Sequence, residues 1–320
     1  MEQPELCSGN RVVELFVPEA YNNVRLDHFL VQMHVAEYSR SQIAQSIKNG
    51  SIKVNGLHVK PGYRVRPGDE IEGTIHDCEP YPIPVPQPVR FDVLHEDASI
   101  IVVSKPPGLV VHPGSGNPEN TLVNGLLYHF KDIAETGDLF RPGIVHRLDK
   151  DTSGVMVVAR NATAHRRLVQ DFKDRRVEKT YRALVHGTPA EKKGRIVAAI
   201  GRHPVNRQKM AIREKSGRHA VTNWSVAQLF ERFTLLTVNI ETGRTHQIRV
   251  HLAHVKHPIA GDVIYGGTHR NLQFPRQMLH SWKLSLQHPE SGEKMSFEAP
   301  LASDFQGVLD TMEALSCSSE

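Results

Sequence analysis

The stretch Gly143-Ile-Val-His-Arg-Leu-Asp-Lys-Asp-Thr-Ser-Gly154 is a polar loop that interrupts apolar sequence. β-Branched residues dominate the runs 143–145 and 155–159 on its two sides, a pattern typical of strands. Arg147, Asp149, Lys150 and Asp151 place full charges at this junction, whereas an ordinary surface turn needs only glycine, asparagine or aspartate. We therefore predict two strands that meet at a functional loop, since rigid scaffolds commonly carry functional residues on loops.

Segments around this loop predict further strands. The pattern favours a hairpin at 90–94 and 99–104, and strands at 179–185, 235–240, 282–286 and 295–297. Tyr181 shares one face of its strand with Ala183 and Val185. The first hairpin leads into Lys105-Pro-Pro-Gly108, for which we expect a structural role, with His112 and Asn117 as candidates for lining a cleft.

Helical patterns are interspersed irregularly among these strands. Helices are predicted over 121–130, capped near Asn120, over 162–172, capped by Asn161, and from about Thr245. The basic segment 201–219 has little apolar pattern, which predicts a mobile arm. Strands and helices do not alternate regularly and there is no nucleotide-binding glycine loop. The predicted fold class is therefore α+β: a main body with a mixed, largely antiparallel sheet and flanking helices.

A smaller α/β module precedes this body. Leu26, Phe29, Leu30 and Met33 have helical spacing, and a second helix capped by Ser39 is followed by a short hairpin at 52–59. Residues 12–17 form either a strand or a loose segment. Prolines at every second position from 80 to 88 exclude a helix and predict an extended, semi-rigid spacer. We predict an N-terminal extension and module over 1–78, with its core at about 23–73, a linker over 79–89 and the body over 90–320.

The distribution of charge indicates a polyanionic partner. The formal net charge is only +4, but residues 39–66 carry six Lys or Arg and no acid. Residues 160–218 carry seventeen Lys or Arg against five acids, whereas residues 290–320 carry one against seven. A plain solvated surface would mix the signs, so this asymmetry favours a polyanion bound on one face.

Composition excludes several other classes of protein. The three cysteines are far apart and form no Cys-x-x-Cys pair, which excludes a disulfide framework or a cysteine zinc site as the basis of the fold. The apolar content of 39% is ordinary, and no run approaches the length of a membrane span. The start, Met1-Glu-Gln-Pro-Glu, lacks a basic and apolar signal pattern. We expect a cytoplasmic protein without a membrane partner.

Three motifs resemble the RluA-type RNA pseudouridine synthases. The most specific is His146-Arg-Leu-Asp-Lys-Asp-Thr-Ser-Gly154, which is accompanied by Lys105-Pro-Pro-Gly-Leu-Val-Val-His112 and Glu241-Thr-Gly-Arg-Thr-His-Gln-Ile-Arg-Val-His251. Together they cover roughly residues 89–300. The N-terminal module resembles the S4 RNA-binding domain through Arg25-Leu-Asp27, Gly50-Ser-Ile-Lys-Val-Asn-Gly56 and Pro67-Gly-Asp-Glu-Ile71. The combined layout is similar to that of the family members that act on large-subunit ribosomal RNA.

This resemblance implies an isomerase that converts uridine in RNA to pseudouridine. Asp149 is the expected nucleophile, adding either to C6 of the pyrimidine or to C1′ of the ribose, two routes that the sequence leaves open. A carboxylate near RNA phosphates needs a cation to stay ionised, and the resemblance gives this role to Arg249. Tyr181 is expected to stack on a flipped uracil, and Arg147 to fill the space that the base leaves or to hold its phosphate.

The resemblance also implies the partners. Arg40, Gln42, Lys48 and Arg64 are candidates for phosphate contacts, which position an RNA without reading its bases. Large-subunit ribosomal RNA is the expected substrate, and the alternatives are a tRNA pseudouridine synthase or a non-catalytic S4-type ribosome assembly factor. We expect a monomer that needs neither a cofactor nor a metal.

Two other kinds of site deserve comparison. His251, His254 and His257, near His246, have a spacing that suggests zinc, although His251 and His257 lie about 240° apart around a helix. Asp149 with Asp151 could instead hold Mg²⁺ in a nuclease, but residues 155–170 contain no further acid. The motifs therefore indicate an isomerase more strongly than these residues indicate a metal site.

Overall fold

The computed structural model describes residues 11–33, 40–75, 83–114, 116–206, 209–269 and 272–317. The chain divides into two compact units, Met1–Pro80 and Tyr81–Glu320. This division lies close to the boundary expected from the proline-rich segment. Residues 83–91 are extended without helix or strand, and their backbone is hydrogen-bonded within the large unit, where Gln87 N donates to Asn124 O at 3.0 Å.

The small unit packs two helices on a four-stranded antiparallel sheet. In chain order its elements are β1 (Arg11–Phe16), α1 (Leu26–Gln32), α2 (Arg40–Lys48), β2 (Ile52–Val54), β3 (Leu57–His58) and β4 (Glu70–Ile75). The strand order is β1-β4-β2-β3. Phe29, Leu30, Ile43 and Ile47 are buried, as their helical spacing predicts. Val13 of β1 belongs to the same core, so the core extends beyond the expected limits of 23–73, and residues 12–17 form a strand. The predicted cap at Ser39 lies outside the described residues.

The large unit is built on a nine-stranded sheet. The strands of this unit in chain order are β5 (Asp92–Glu96), β6 (Ile100–Lys105), β7 (Gly137–Asp138), β8 (Arg141–Pro142), β9 (Ser153–Ala159), β10 (Glu178–His186), β11 (Lys193–Val197), β12 (Ile200–Arg202), β13 (Met210–Ile212), β14 (Val221–Leu229), β15 (Phe233–Ile240), β16 (Leu279–Gln287) and β17 (Lys294–Glu298). Two pairs of them, β7 with β8 and β12 with β13, form small sheets of their own. Its helices are α3 (Leu122–His129), α4 (Ala162–Lys173), α5 (Gln247–His254) and α6 (Ser303–Cys317).

The order of strands in the main sheet is β11-β14-β15-β10-β16-β9-β6-β5, with β17 paired to β16. Within the described strands β9 and β16 are parallel at His280 and Ser281, and the remaining pairs of this sheet are antiparallel. The predicted α+β class with a mixed, largely antiparallel sheet is therefore confirmed. Strand β16 lies between β9 and β10, and its Ser281 pairs with Gly154 at the start of β9 on one side and with Tyr181 of β10 on the other.

Of the two strands predicted on either side of the polar loop, only the second forms. Residues 153–159 form the fully buried strand β9, but 143–145 do not form a strand. Gly143 has a φ of +70°, and Ile144 N donates to Arg141 O at 3.1 Å, so the chain turns. Ile144 therefore forms only an isolated bridge with Val158.

Two further predictions need correction. The cap of α3 is Thr121 rather than Asn120, since the Oδ1 of Asn124 accepts from both the amide and the hydroxyl of Thr121. The segment 201–219 is not a free arm: β12 and β13 pair antiparallel, and Met210 N donates to the hydroxyl of Tyr265 at 2.9 Å. By contrast, the cap of α4 by Asn161 is confirmed, with Asn161 Oδ1 accepting from Ala164 N at 2.9 Å.

Candidate active site

The polar loop 146–152 is held in place from several directions. Lys105, which is buried at the end of β6, donates through Nζ to the carbonyls of Pro106, Leu109 and Lys150 at 2.7, 2.8 and 2.9 Å. Arg276 Nη1 donates to Asp151 O at 2.9 Å. The contacts with Lys150 O and Asp151 O fix the backbone directly after Asp149. The side chain of Asp149 is therefore carried by a rigid segment rather than a free one.

The glycine at the end of this loop has a steric role. Gly154 has a φ of +115°, and a Cβ at this position would collide with the backbone of Ser281 on β16. Ser281 also donates through its hydroxyl to Val155 O at 3.1 Å. The parallel pairing of β9 with β16, which brings the loop beside β10, therefore requires glycine here.

Asp149, Arg249 and Asp262 form a chain of ion pairs. Arg249 Nη1 donates to Asp149 Oδ2 at 3.0 Å, while its Nε and Nη2 donate to the two carboxylate oxygens of Asp262 at 2.7 and 3.0 Å. The side chain of Asp262 is fully buried, and that of Asp149 remains 19% exposed. Arg249 is thus oriented by one carboxylate and presents its remaining edge to the other.

Electrostatics keep Arg249 charged. Burial opposes its charge, but the hydrogen bonds and charges of Asp262 and Asp149 outweigh burial and raise the pKa of Arg249 above its ordinary value. The guanidinium carbon also lies 5.2 Å from the ring centroid of Tyr265. Asp149 therefore faces a permanently charged and oriented guanidinium.

Helix α5 carries Arg249 in a fixed direction because its first residue is anchored. The side-chain Nε2 of Gln247 donates to Val221 O at 2.9 Å, and its Oε1 accepts from Arg244 N at 3.0 Å and from the Thr242 hydroxyl at 2.7 Å. The N-cap residue, His246, has a φ of +55°. The motif segment 241–251 therefore sets both the start and the rotation of the helix.

Tyr181 and Asp149 line the same open cavity of about 100 Å³, together with Arg147, Arg244 and Arg249. Tyr181 is only 7% exposed. Burial first, and then the negative charge of Asp149, raise the pKa of Tyr181 to about 12. Its phenol therefore keeps its proton at neutral pH, and the side chain offers an apolar ring with a hydrogen-bonding end.

A second, larger cavity of about 460 Å³ adjoins the first across Asp149 and Arg147. His112 and Asn117 line it, which confirms their expected place in a cleft. His112 Nδ1 lies 3.0 Å from Pro113 O, and burial is the main cause that lowers the pKa of its ring. The expected site residues of the body are thus brought together around one cleft.

The expected RNA-contacting residues of the small unit are placed only in part. Lys48 is exposed at the end of α2, and Arg64 is exposed while its Nη1 donates to Asn23 O at 2.8 Å. Arg40 and Gln42 lie in α2, but their side chains are outside the described part of the chain. Their contacts with RNA remain predictions.

Two of the histidines that suggested zinc have other partners. His251 contacts Thr222 Oγ1 at 2.9 Å and Ala198 O at 3.1 Å, and His257 contacts His186 O at 2.9 Å. Within the described ranges no group of three His, Cys, Asp or Glu side chains is placed to hold a metal ion. The helices described there also include none that is both long and apolar enough to cross a membrane.

Sequence reasoning missed the residues that support this site. Asp262 was not predicted, and its signal was an isolated acid within the glycine-containing segment 259–267. Arg276, which binds Asp304 at 2.7 and 2.9 Å as well as the loop, carried no recognisable motif. Lys105 was expected to be structural only as part of its turn, but its amine contacts the active loop directly.

Comparisons with known proteins agree with this geometry. A family model for RNA pseudouridylate synthases matches residues 99–254, and one for the S4 domain matches residues 24–71. An uncharacterized RNA pseudouridine synthase of Bacillus subtilis is 40% identical over 300 residues, which cover 94% of this chain and 98% of that protein. Ribosomal large subunit pseudouridine synthase D of Pseudomonas aeruginosa is 41% identical over 308 residues, which cover 92% and 94%. The solved human RNA Pseudouridylate Synthase Domain Containing 4 matches with a TM-score of 0.56 and 26% identity, over 69% of this chain and 93% of that one.

The chain therefore belongs to the RNA pseudouridine synthase family and carries an S4 domain. It is an enzyme of the isomerase class that the motifs around Asp149 indicate. The expected family, fold class and enzyme class are confirmed, and RNA is the partner.

Proposed function

We propose that this enzyme converts specific uridines of large-subunit ribosomal RNA to pseudouridine, with Asp149 as the nucleophile. The reaction breaks the bond between N1 and C1′, turns the base and joins C5 to C1′; the hydrogen on C5 leaves as a proton, and N1 takes up a proton in its place. Atoms and electrons balance without a redox partner. The side chains that the reaction requires are a nucleophile, a group that keeps it ionised and a surface that holds the free base.

The observation that carries this proposal is the 3.0 Å contact between Arg249 Nη1 and Asp149 Oδ2 at a cavity lined by Tyr181. A surface ion pair would be worth about 0–1 kcal/mol and would indicate little. Here, however, Arg249 is only 5% exposed and is held by a second, fully buried carboxylate. A pair built at this electrostatic cost supports a catalytic role for the more exposed acid.

Tyr181 is proposed to hold the uracil rather than to act as a strong base. Stacking on an aromatic ring is worth about 1–3 kcal/mol per base, enough to help retain a flipped nucleotide. Because its pKa is raised to about 12, very little of the phenol is ionised at neutral pH. The protonated hydroxyl can still relay the proton from C5, because it can accept that proton while it donates its own to another acceptor. Attack at C6 and attack at C1′ both fit this arrangement.

The proposed substrate rests on the S4 domain and on the relatives. Several relatives about 40% identical to this chain are named ribosomal large subunit pseudouridine synthase D. Phosphate contacts by a second basic module, which includes Lys48 and Arg64, would extend the footprint onto structured RNA. We take the enzyme to act as a monomer in the cytoplasm, and both statements remain predictions.

The test compares RNA substrates directly. Large-subunit ribosomal RNA and total tRNA from cells that lack the protein are incubated with the purified enzyme, and new pseudouridines are mapped at nucleotide resolution. We expect defined sites in the ribosomal RNA. If the enzyme modifies only tRNA, the proposed substrate is wrong although the enzyme class stands.

Deletion of residues 1–78 tests the contribution of the S4 domain. Fewer bound phosphates release fewer counterions, so the plot of log affinity against log salt should become flatter, by about one unit of slope for each lost contact. The body should still modify a short stem-loop, more slowly and with relaxed choice of site. Equal efficiency and selectivity on ribosomal RNA would contradict a role for this domain in recognition.

A further inference from the structure

The larger of the two cavities beside Asp149 extends beyond the place of the reacting base. It measures about 460 Å³, against about 100 Å³ for the cavity that Tyr181 lines, and Asp149 and Arg249 line both. Pockets that hold small ligands usually measure about 300–1,000 Å³. The proposed function places the target uracil against Tyr181 in the smaller cavity, so the larger cavity is left for another part of the RNA.

Gln277 brings an unpaired amide to this larger cavity. The residue lines the cavity and is only 6% exposed. Its backbone oxygen accepts from Arg276 Nη1 and Leu279 N at 3.1 and 2.8 Å, but among the described residues none hydrogen-bonds to its side-chain amide. The amide atoms are not sealed off from solvent, so they open onto the cavity. Because buried polar groups are normally paired, this donor and acceptor are available to a ligand.

Apolar walls and a second amide complete the lining. Val111, Val263 and Ile264 line the cavity, and Val263 is 78% exposed. Asn117 lines it too; its backbone forms two hydrogen bonds of 3.0 Å with Gly114, and within the described ranges its side-chain amide has no hydrogen-bond partner. A nucleobase has apolar faces and a polar edge, and proteins read single-stranded RNA mainly through bases that leave their stack. Neutral amides between apolar walls therefore suit a base.

The charges around the cavity favour a base over a phosphate inside it. Asp149 and Asp151 both line the cavity, and their carboxylates oppose a further anion there. Arg147 and Lys150 also line it, and both are exposed. Exposed cations suit the RNA backbone, which positions the chain without revealing its sequence.

We propose that this cavity binds the base of a nucleotide next to the target uridine, and that Gln277 hydrogen-bonds to the edge of that base. The inference rests on the proposed function, which places the target itself in the smaller cavity. The two cavities share Asp149, so consecutive nucleotides can occupy them. A glutamine amide pairs with N6 and N7 of adenine, whereas guanine presents two acceptors on the same edge. Gln277 is thus a specificity-determining residue that selects adenine over guanine.

The test combines protein variants with changes of single bases in the RNA. A stem-loop that the wild-type enzyme modifies is made with each of the four bases, and with an abasic nucleotide, at each unpaired position flanking the target. The variant is Gln277→Met, which replaces the amide by an apolar group of similar length. The matched control is Gln228→Met, because Gln228 lies on β14, donates to Glu313 Oε1 at 3.0 Å and lines neither cavity.

At one flanking position we expect the wild-type enzyme to favour adenine over guanine by about tenfold in kcat/KM, the usual effect of one bidentate contact to a base. In Gln277→Met this ratio should fall close to one, and in Gln228→Met it should be unchanged. With an abasic nucleotide at that position, Gln277→Met and the wild type should be equally active. The proposal is wrong if the wild type discriminates at no flanking position, or if Gln277→Met loses the same activity with every base.

Unfolding in urea separates recognition from a structural role. Because the protein supplies no partner for the Gln277 amide, Gln277→Met should unfold at the same urea concentration as the wild type. Tryptophan fluorescence reports this midpoint, since Trp224 and Trp282 both lie in the large unit. A clearly lower midpoint, together with equal losses for all bases, would assign Gln277 to the fold and overturn its role in recognition.

The proposed function can fail separately. If the wild-type enzyme leaves the ribosomal stem-loop unmodified but forms pseudouridine in a tRNA, the proposed substrate is wrong. The same scan of flanking bases on that tRNA then decides the role of Gln277.

Discussion

Replacement of Asp262 by asparagine should destabilise the large unit and impair catalysis, because this buried carboxylate holds the guanidinium of Arg249. Asp262 accepts from Nε and Nη2 of Arg249 at 2.7 and 3.0 Å. Its Oδ1 also accepts from the amides of Ile264 and Tyr265 at 3.0 and 3.2 Å. Asparagine has nearly the same shape but has no charge, and its NH2 group must face one of these donors.

Breaking a buried ion pair typically costs about 3–5 kcal/mol. Arg249 keeps Asp149 as a second partner, so we expect a loss in the free energy of unfolding of about 3 kcal/mol. Urea unfolding followed by tryptophan fluorescence measures this change in the large unit. Under conditions where the variant is folded, tritium release from RNA labelled at C5 of uridine should fall about tenfold or more, since a loss of about 1.4 kcal/mol in transition-state stabilisation already has that effect.

Asp138→Asn is the matched control. It makes the same chemical change in an exposed pair, in which Asp138 and Arg141 lie 2.9 Å apart, and it should cost about 0–1 kcal/mol. Combining Asp262→Asn with Arg249→Met should destabilise the protein by clearly less than the sum of the single changes. An unchanged free energy of unfolding for Asp262→Asn, or strict additivity in this pair, would refute the account of the buried charges.

Three further predictions concern the loop and the chemistry. Burial first, and then the charge of Lys179, lower the pKa of His146 to about 3 in the folded protein. In the unfolded chain a histidine binds a proton near pH 6.5, so below this pH the unfolded state binds one more proton than the folded state. Stability should therefore fall as the pH drops from about 6.5 towards 3, and less steeply in His146→Gln, as urea unfolding at several pH values will show. Lys105→Met leaves three carbonyls without their donor and should lower stability by about 3 kcal/mol and reduce kcat, measured by unfolding and tritium release. Activity should be complete in EDTA, and a loss that zinc or magnesium restores would point to a metal site instead.

Patterns within a short stretch of sequence correctly predicted several helices and strands. The apolar run 155–159, the alternation around Tyr181 and the cap at Asn161 all appear as expected. The run 143–145 has the composition of a strand but turns at Gly143, so its pairing is limited to the isolated bridge between Ile144 and Val158. Composition alone could not distinguish these outcomes, because pairing depends on the backbone beyond the run.

The active site was predictable to the extent that its motifs are contiguous in sequence. Asp149 and Arg249 came from separate motifs and Tyr181 from the family resemblance, and the three lie around one cavity. Asp262 and Arg276 could not be found in this way, because their partners are distant in the chain and one sequence carries no information about such pairs. The prediction of a mobile arm at 201–219 was wrong for a similar reason, since this segment is hydrogen-bonded to Tyr265, which is distant in the chain.

The most direct test of the central claim is the activity of Asp149→Asn in the full-length enzyme. Asparagine preserves the shape of the side chain and can still accept from Arg249, but it is no longer an effective nucleophile. With RNA labelled with tritium at C5 of uridine, we predict no release above background, together with an RNA affinity close to that of the wild type. Substantial turnover by this variant would contradict the assignment of Asp149 as the nucleophile.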